Sequence, residues 1–106
     1  MRESDIEEHL VKRVKELGGE VRKVKWIGRN GAPDRLVMLP GDAWLCTESM
    51  DQPTTIWVEL KAPGLAALFP HTPHERQQHR EHERMRAMGQ RVVVIDSLAG
   101  VDELLA

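Results

Sequence analysis

At the centre of the chain lies the stretch Ile56-Trp57-Val58-Glu59-Leu60-Lys61, whose β-branched and aromatic residues predict a strand. Side chains alternate between the two faces of a strand, so Trp57, Glu59 and Lys61 share one face and the aliphatic residues occupy the other. Charged groups in so apolar a strand are costly unless they are paired or bind a ligand. The stretch therefore predicts a central strand that carries a polar site.

A second carboxylate precedes this strand in the chain. Gly31-Ala32-Pro33 predicts a turn, and Asp34 opens a new apolar run, Leu36-Val37-Met38-Leu39. If the two strands are neighbours in one sheet, Asp34 and Glu59 can converge on one cation. Mg²⁺ and Mn²⁺ prefer such oxygen ligands, and Lys61 could then orient a water or stabilise charge on a phosphate.

The N-terminal segment predicts a helix from Ser4 to Leu17, which Gly18-Gly19 ends. At 100° per residue Glu7 falls on the apolar side of this helix. Two interpretations of Glu7 remain open. It could close a capping box with Ser4, or it could reach the carboxylate site.

A later helix is predicted from Thr72 or Pro73 to about Met88, with Gly89 as its end. Its spacing directs Gln78 toward the sheet, where it contacts either the site or only backbone. The nearby histidines have no cysteine cluster or HExxH motif beside them, so a polar helix face is favoured over a zinc site. These histidines are His71, His74, His79 and His82.

The remaining segments complete an α-β-β-β-α-β-α order, which predicts a mixed central sheet with helices on both faces. Strands are expected at Glu20 to Ile27 and at Gln90 to Asp96, and Ser97 is expected to cap a short final helix. The segment from Ala62 to Thr72 predicts a loop over the site, able to become ordered when substrate binds. In the looser segment from 41 to 55, Trp44 is expected to pack at the domain edge or in a dimer contact.

Composition bounds the class of protein. The 106 residues predict one domain, 1–106, and the formal net charge of −2 argues against a generally basic nucleic-acid coat. Cys46 is the single cysteine, which excludes an internal disulfide and favours a buried thiol in a reducing cytoplasm. The chain has no apolar run of the roughly 20 residues that a membrane span needs, and no membrane role is expected.

Charge is segregated along the chain. Residues 21–35 contain five lysines and arginines against one acid, whereas residues 41–60 contain four acids and no lysine or arginine. A basic segment leading into the carboxylate site would suit an approaching phosphate backbone, although a solvated edge strand protected by lysines explains the charges equally well. The nucleic-acid-binding candidates are Lys23, Lys25, Arg29 and Arg35.

Taken in order, these features resemble the virus-type replication-repair nuclease (VRR-NUC) domain of the PD-(D/E)xK nuclease superfamily, especially its stand-alone phage and bacterial forms. The resemblance rests on the inward helical acid, the run Gly31-Ala32-Pro33-Asp34-Arg35, the strand ending Val58-Glu59-Leu60-Lys61-Ala62-Pro63-Gly64, the glutamine-bearing helix and Val92-Val93-Val94-Ile95-Asp96. It extends over nearly the whole chain. It implies an α/β, restriction-endonuclease-like fold with an αβββαβ core.

The resemblance also implies a mechanism. Asp34, Glu59 and the Leu60 backbone carbonyl would hold Mg²⁺ or Mn²⁺, with Glu7 as a further acid, directly or through water. Lys61 would position or help to deprotonate the attacking water, and Gln78, which fits the family's glutamine better than Gln77, would steady Lys61 or a phosphate.

The implied function is a metal-dependent, structure-selective DNA endonuclease. By resemblance it would cut branched or junction DNA as a homodimer, like a Holliday-junction resolvase, in DNA repair in the cytoplasm of a bacterium or phage-infected cell, with a helicase or replication protein as a partner. Two alternatives remain. One is a nucleic-acid-binding module that does not cut, and the other is a structural subunit of a phage or mobile element, in which Glu59 and Lys61 merely form an ion pair.

Overall fold

A computed structural model describes residues 1–40 and 55–106 of the chain. Its elements follow the predicted order: helix α1 (Glu3–Glu16), strands β1 (Glu20–Lys23), β2 (Arg35–Met38) and β3 (Thr55–Leu60), a short 3₁₀ helix (Ala66–Leu68), helix α2 (Pro73–Ala87), strand β4 (Val92–Ile95) and helix α3 (Leu98–Leu104). Trp44 and Cys46, whose environments were predicted above, lie outside the described residues. Within the described ranges, no helix is long and apolar enough to cross a membrane.

The described strands form a mixed sheet in the order β1-β2-β3-β4, which confirms the predicted fold class. β1, β2 and β3 are successively antiparallel, while β3 and β4 run parallel. A parallel pair needs a long crossover, and α2 supplies it. The predicted central strand is therefore central in fact, with β2 on one side and β4 on the other.

The two faces of the sheet carry different layers. Helices α1 and α3 cover the face from which Ile56, Val58 and Leu60 project, and together they form the hydrophobic core. Helix α2 covers the opposite face, where its side chains meet Glu59 and Lys61. The main core residues are Ile6, Leu10, Val14, Val37, Leu39, Ile56, Val58, Leu60, Ile95, Val101 and Leu105.

Strand β1 is shorter than the predicted Glu20 to Ile27 and ends at Lys23. Its partner β2 begins at Arg35, and Pro33 just before it has no N–H to extend the ladder. One further bond, from the Val24 N–H to the Asp34 carbonyl (2.9 Å), ends the pairing. Ile27 is consequently exposed, because no strand remains for it to pair with.

The helix termini follow local chemistry. Ser97 caps α3 as predicted, α2 begins at the predicted Pro73 with Thr72 as its cap, and the α2 C-terminus lies just before Gly89. Helix α1 begins one residue earlier than predicted, and the carboxylate of Asp5 accepts a hydrogen bond from the Arg2 N–H at 2.7 Å. The proposed capping box of Ser4 and Glu7 is therefore wrong.

Candidate active site

Glu59 projects from the middle of the sheet toward α2 and is 8% exposed. It lies beside Val94 of β4 in the strand register, and its Oε1 is 3.4 Å from Nε2 of His82. That separation makes a long hydrogen bond, and a carboxylate buried with so little compensation is costly. Glu59 thus has capacity left for a further ligand.

His82 corrects the sequence analysis, which assigned the histidines of α2 to a polar helix face. Its side chain is fully buried, stacks on the Phe69 ring at a centroid distance of 5.6 Å, and contacts Glu59. Its Nδ1 has no hydrogen-bond partner among the described residues. An Nε2–H donated to Glu59 would leave only a lone pair on Nδ1 unsatisfied.

The signal for His82 was present in the sequence. It lies four residues after Gln78 and three before Met85, so all three occupy one helical face, and all three are buried. Met88, at the end of the helix, is exposed. His79 lies only at the edge of the cluster, where its ring contacts Phe69.

Lys61 follows β3 and points toward the first turns of α2. Its Nζ donates to Oε1 of Gln78 at 2.7 Å, lies 3.6 Å from Oε2 of Glu75, and sits 5.2 Å from the centre of the Phe69 ring. The inward position expected for Gln78 is thus observed. Lys61 pairs with these groups and not with Glu59, so the simple Glu59–Lys61 ion pair of the structural-subunit alternative does not form between these two described residues.

Glu75 completes the capping box at the start of α2. Its Oε1 accepts hydrogen bonds from the backbone N–H groups of Thr72 and His71, both at 3.1 Å. These backbone bonds, assisted by the charge of Lys61, hold the pKa of the Glu75 carboxyl below its ordinary value. Glu75 therefore stays ionised and helps to compensate the charge of Lys61.

Asp34 and Glu7 are joined by Arg35. The guanidinium group of Arg35 lies 2.9 Å from Asp34 and 3.1 Å from Glu7. Hydrogen bonding from Arg35 lowers the pKa of Glu7 despite the opposing effect of burial. Arg35 therefore links Glu7 to Asp34, and Glu7 lies on the side of the sheet that α1 covers.

The register relates this arginine-bridged group to Glu59. Arg35 is paired with Val58, so the antiparallel ladder, continued by one residue, brings Asp34 level with Glu59. Asp34 is largely exposed, whereas Glu59 is buried. Among residues 1–40 and 55–106, no three His, Cys, Asp or Glu side chains are already gathered closely enough to hold a metal ion.

The predicted nucleic-acid contacts divide into two kinds. Lys23 and Lys25 are exposed at the end of β1. Arg35 is only 12% exposed and is occupied by two carboxylates, while Arg29 pairs with Glu81 at 2.8 Å, a contact that raises the pKa of Arg29. The two lysines are thus the more accessible of the four candidates.

Comparison with known proteins agrees with this geometry. No family model matches the chain. It is 42% identical over 97 residues to the protein named "Putative nuclease p44" of Acyrthosiphon pisum secondary endosymbiont phage 1, an alignment that covers 92% of this chain and 85% of that protein. A solved structure of a VRR-NUC domain superposes with a TM-score of 0.70 at 35% identity, covering 97% of this chain and 92% of the other. This chain belongs to the VRR-NUC family.

Within the VRR-NUC fold, the available donors suit a hard divalent cation. Asp34 and Glu59 offer carboxylate oxygens from neighbouring strands, and the Leu60 carbonyl is adjacent in the chain. Glu59 is buried and has a 3.4 Å contact to His82, so its carboxylate is of a type that could hold such a cation. Membership of the VRR-NUC family supports nuclease chemistry for the chain.

Proposed function

We propose that this VRR-NUC domain is an endodeoxyribonuclease that requires Mg²⁺ or Mn²⁺ to hydrolyse phosphodiester bonds. The observation that carries the proposal is the buried Glu59 with Lys61 two residues further on, held toward the same layer by Gln78 at 2.7 Å. An acid that could hold a cation, beside a positioned ammonium group, supports a hydrolytic role.

Each residue of the candidate site has its own proposed role. Asp34, Glu59 and the Leu60 carbonyl would hold the cation, which when bound supplies charge neutralisation and a more acidic water. Glu7 would act on this site through water or after Arg35 moves, since Arg35 now bridges it to Asp34. Lys61 would orient the attacking water, and Gln78 would restrain the Lys61 ammonium group.

The substrate and assembly are proposed on family grounds. We expect branched or junction DNA to be cut by a homodimer, since a two-fold arrangement brings one site to each of two strands. The phage origin of the curated relative supports a role in replication or repair inside an infected cell, with a helicase or replication protein as a partner. Sedimentation of the chain alone and with a four-way junction tests the dimer.

The decisive experiment measures cleavage of labelled four-way junction, flap, nicked and linear duplex DNA in Mg²⁺, Mn²⁺ or EDTA. Lys61→Ala is expected to reduce the rate by about 10²- to 10⁴-fold, because the water loses its orienting group. Lys15→Ala is the matched control, since Lys15 is exposed on α1, which covers the opposite face. Binding of every DNA without cleavage in either metal would replace this proposal with the non-cleaving module.

A further inference from the structure

A basic cleft lies beside the candidate active site, between α2 and the loop that joins β1 to β2. It has a volume of about 480 Å³. We call it the arginine cleft, and its walls are formed mainly by Arg29, Asn30, Gln77, Arg80, Glu81 and Arg84.

The charges of the arginine cleft are only partly compensated. Glu81 pairs with Arg29 at 2.8 Å, and that contact neutralises one of the three arginines. Arg80 and Arg84 make no ion pair with any carboxylate in the described part of the chain. They are exposed and four residues apart on α2, so their side chains are neighbours on one helical face. Two guanidinium groups in a concave site suit a phosphate group.

The cleft and the candidate active site both lie along α2 near the Gly31 loop. The backbone of Gly31, at a φ of +86°, approaches α2 so closely that an added Cβ would lie 3.0 Å from the Gln77 carbonyl oxygen. Gln77 lines the cleft, and the next residue, Gln78, bonds to Lys61. The arginine cleft and the contact to Lys61 are therefore formed by adjacent residues of α2.

A second cavity, of about 420 Å³, shares the wall formed by Arg29, Glu81 and Arg84. We call it the tryptophan pocket, because the rings of Trp26 and Trp57 lie 5.1 Å apart beside it. Its apolar lining is completed by Met85 and Met88.

Both indole N–H groups in the tryptophan pocket are already satisfied. Trp26 donates to the Pro33 carbonyl at 2.8 Å, and Trp57 donates to Gln90 at 3.1 Å. These bonds fix the ring orientations and leave carbon surface as what the rings offer to a ligand. Apolar and aromatic surface of this kind favours a nucleobase that is not stacked in a duplex.

We propose that the two cavities together bind one unpaired nucleotide of the substrate DNA, with its phosphate in the arginine cleft and its base in the tryptophan pocket. A base within a double helix is stacked and paired, so only a single-stranded segment can enter the pocket. The proposal rests on the proposed function for its DNA ligand and specifies the substrate class: DNA with unpaired nucleotides next to the cut, as in flaps and open branches.

The test compares Arg80→Gln/Arg84→Gln with Lys12→Gln/Lys15→Gln, which removes the same two charges from exposed positions on α1. Dissociation constants are measured in EDTA, across a salt series, for a 5′ flap, a 3′ flap and a fully paired duplex of equal length. Wild type is expected to bind at least one flap roughly 5-fold or more tighter than duplex, as base stacking alone supplies. The α2 variant should lose most of this preference, because the phosphate in the arginine cleft belongs to the unpaired nucleotide, and it should reduce the salt slope for the flap by roughly 0.7, the value for one phosphate contact on a single strand.

The control variant should keep the flap preference of the wild type. Equal binding of flap and duplex by wild type, or equal behaviour of the two variants, overturns the inference. The substituted side chains are all exposed, and circular dichroism verifies that each variant is folded. Because EDTA removes cleavage from the assay, a flap preference that depends on Arg80 and Arg84 stands even if the chain cuts no DNA. Cleavage without that preference would leave the nuclease proposal intact and refute only this inference.

Discussion

Glu59 and His82 show how single residues of this VRR-NUC domain combine. Each is buried, one 3.4 Å contact joins them, and Nδ1 of His82 has no hydrogen-bond partner among the described residues. The His82 ring lies between the Glu59 carboxylate and the Phe69 ring. A change of the His82 rotamer would therefore disturb the packing of α2 on the sheet. We expect His82 to position the Glu59 carboxylate for a cation.

His82→Asn should therefore raise the metal concentration that gives half-maximal cleavage by about 10- to 100-fold, the usual cost of losing a group that orients a ligand. Calorimetric titration of Mn²⁺ into the protein gives the same comparison without activity. His79→Asn is the control, because His79 contacts Phe69 but not Glu59. An equal metal requirement in the two folded variants would show that His82 only fills space.

Helix α2 is the element that connects the parts of the site. Its first two turns present Glu75 and Gln78 to Lys61, its buried face presents His82 to Glu59, and its exposed face carries the arginine cleft. The Gly31 loop is packed on this same helix. Substitutions in the Gly31 loop should thus alter the positions of the α2 side chains at the candidate site.

Gly31→Ala tests that connection, with Gly28→Ala as its control. Both glycines have a positive φ, +86° and +75°, so alanine strains both backbones by about 1–2 kcal/mol. Only at Gly31 would the new Cβ also press on the backbone of Gln77 and Gln78, whereas nothing lies within 4 Å at Gly28. Urea unfolding should show a larger loss of stability for Gly31→Ala, and its cleavage rate should fall more. Equal losses of stability in the two variants would show that the contact between Gly31 and α2 accommodates the added Cβ without cost.

Glu75→Gln tests the start of α2 through pH. The pKa of Glu75 is lowered in the folded state, so its contribution to stability is complete above the ordinary value of 4.5 and is lost as the pH falls through the lower folded value. The variant should be less stable than wild type at pH 7, and the difference should shrink in acid. Urea unfolding at several pH values measures this. A stability difference between wild type and Glu75→Gln that stays the same from pH 7 into acid would show that the charge of Glu75 does not contribute.

At the scale of the whole molecule, the sheet separates the hydrophobic core from the candidate active site. The face under α1 and α3 is packed with aliphatic side chains, while the face under α2 contains Glu59, Lys61, Gln78 and His82. Burying a carboxylate there opposes folding, and a bound cation would offset that cost. The free energy of unfolding of the apoprotein should therefore be lower than the hydrophobic core alone would give.

Glu59→Gln should leave the apoprotein as stable as wild type or more stable by about 0.5–2 kcal/mol, since the desolvated charge is gone. Mn²⁺ at 100 times its Kd should stabilise wild type by about 2.7 kcal/mol, visible as a rise in Tm of several degrees. The variant should lose that rise, and Glu103→Gln, an exposed substitution on α3, should keep it. A rise in Tm that persists in Glu59→Gln would place the cation elsewhere.

The sequence by itself predicted the order of the elements and the residues of the candidate site, whose roles stay predictions. Periodicity and end signals predicted three helices, the strand β3 and the inward Gln78, because these depend on neighbours within a few residues along the chain. Tertiary structure decided that Arg35 bridges Glu7 and Asp34, that β1 ends at Lys23, and that His82 meets Glu59. It also joined Arg29 to α2 beside the arginine cleft. His82 is 23 positions from Glu59 along the chain, and Glu81 is 52 positions from Arg29. Only packing of the sheet against its helices brings such distant residues into contact.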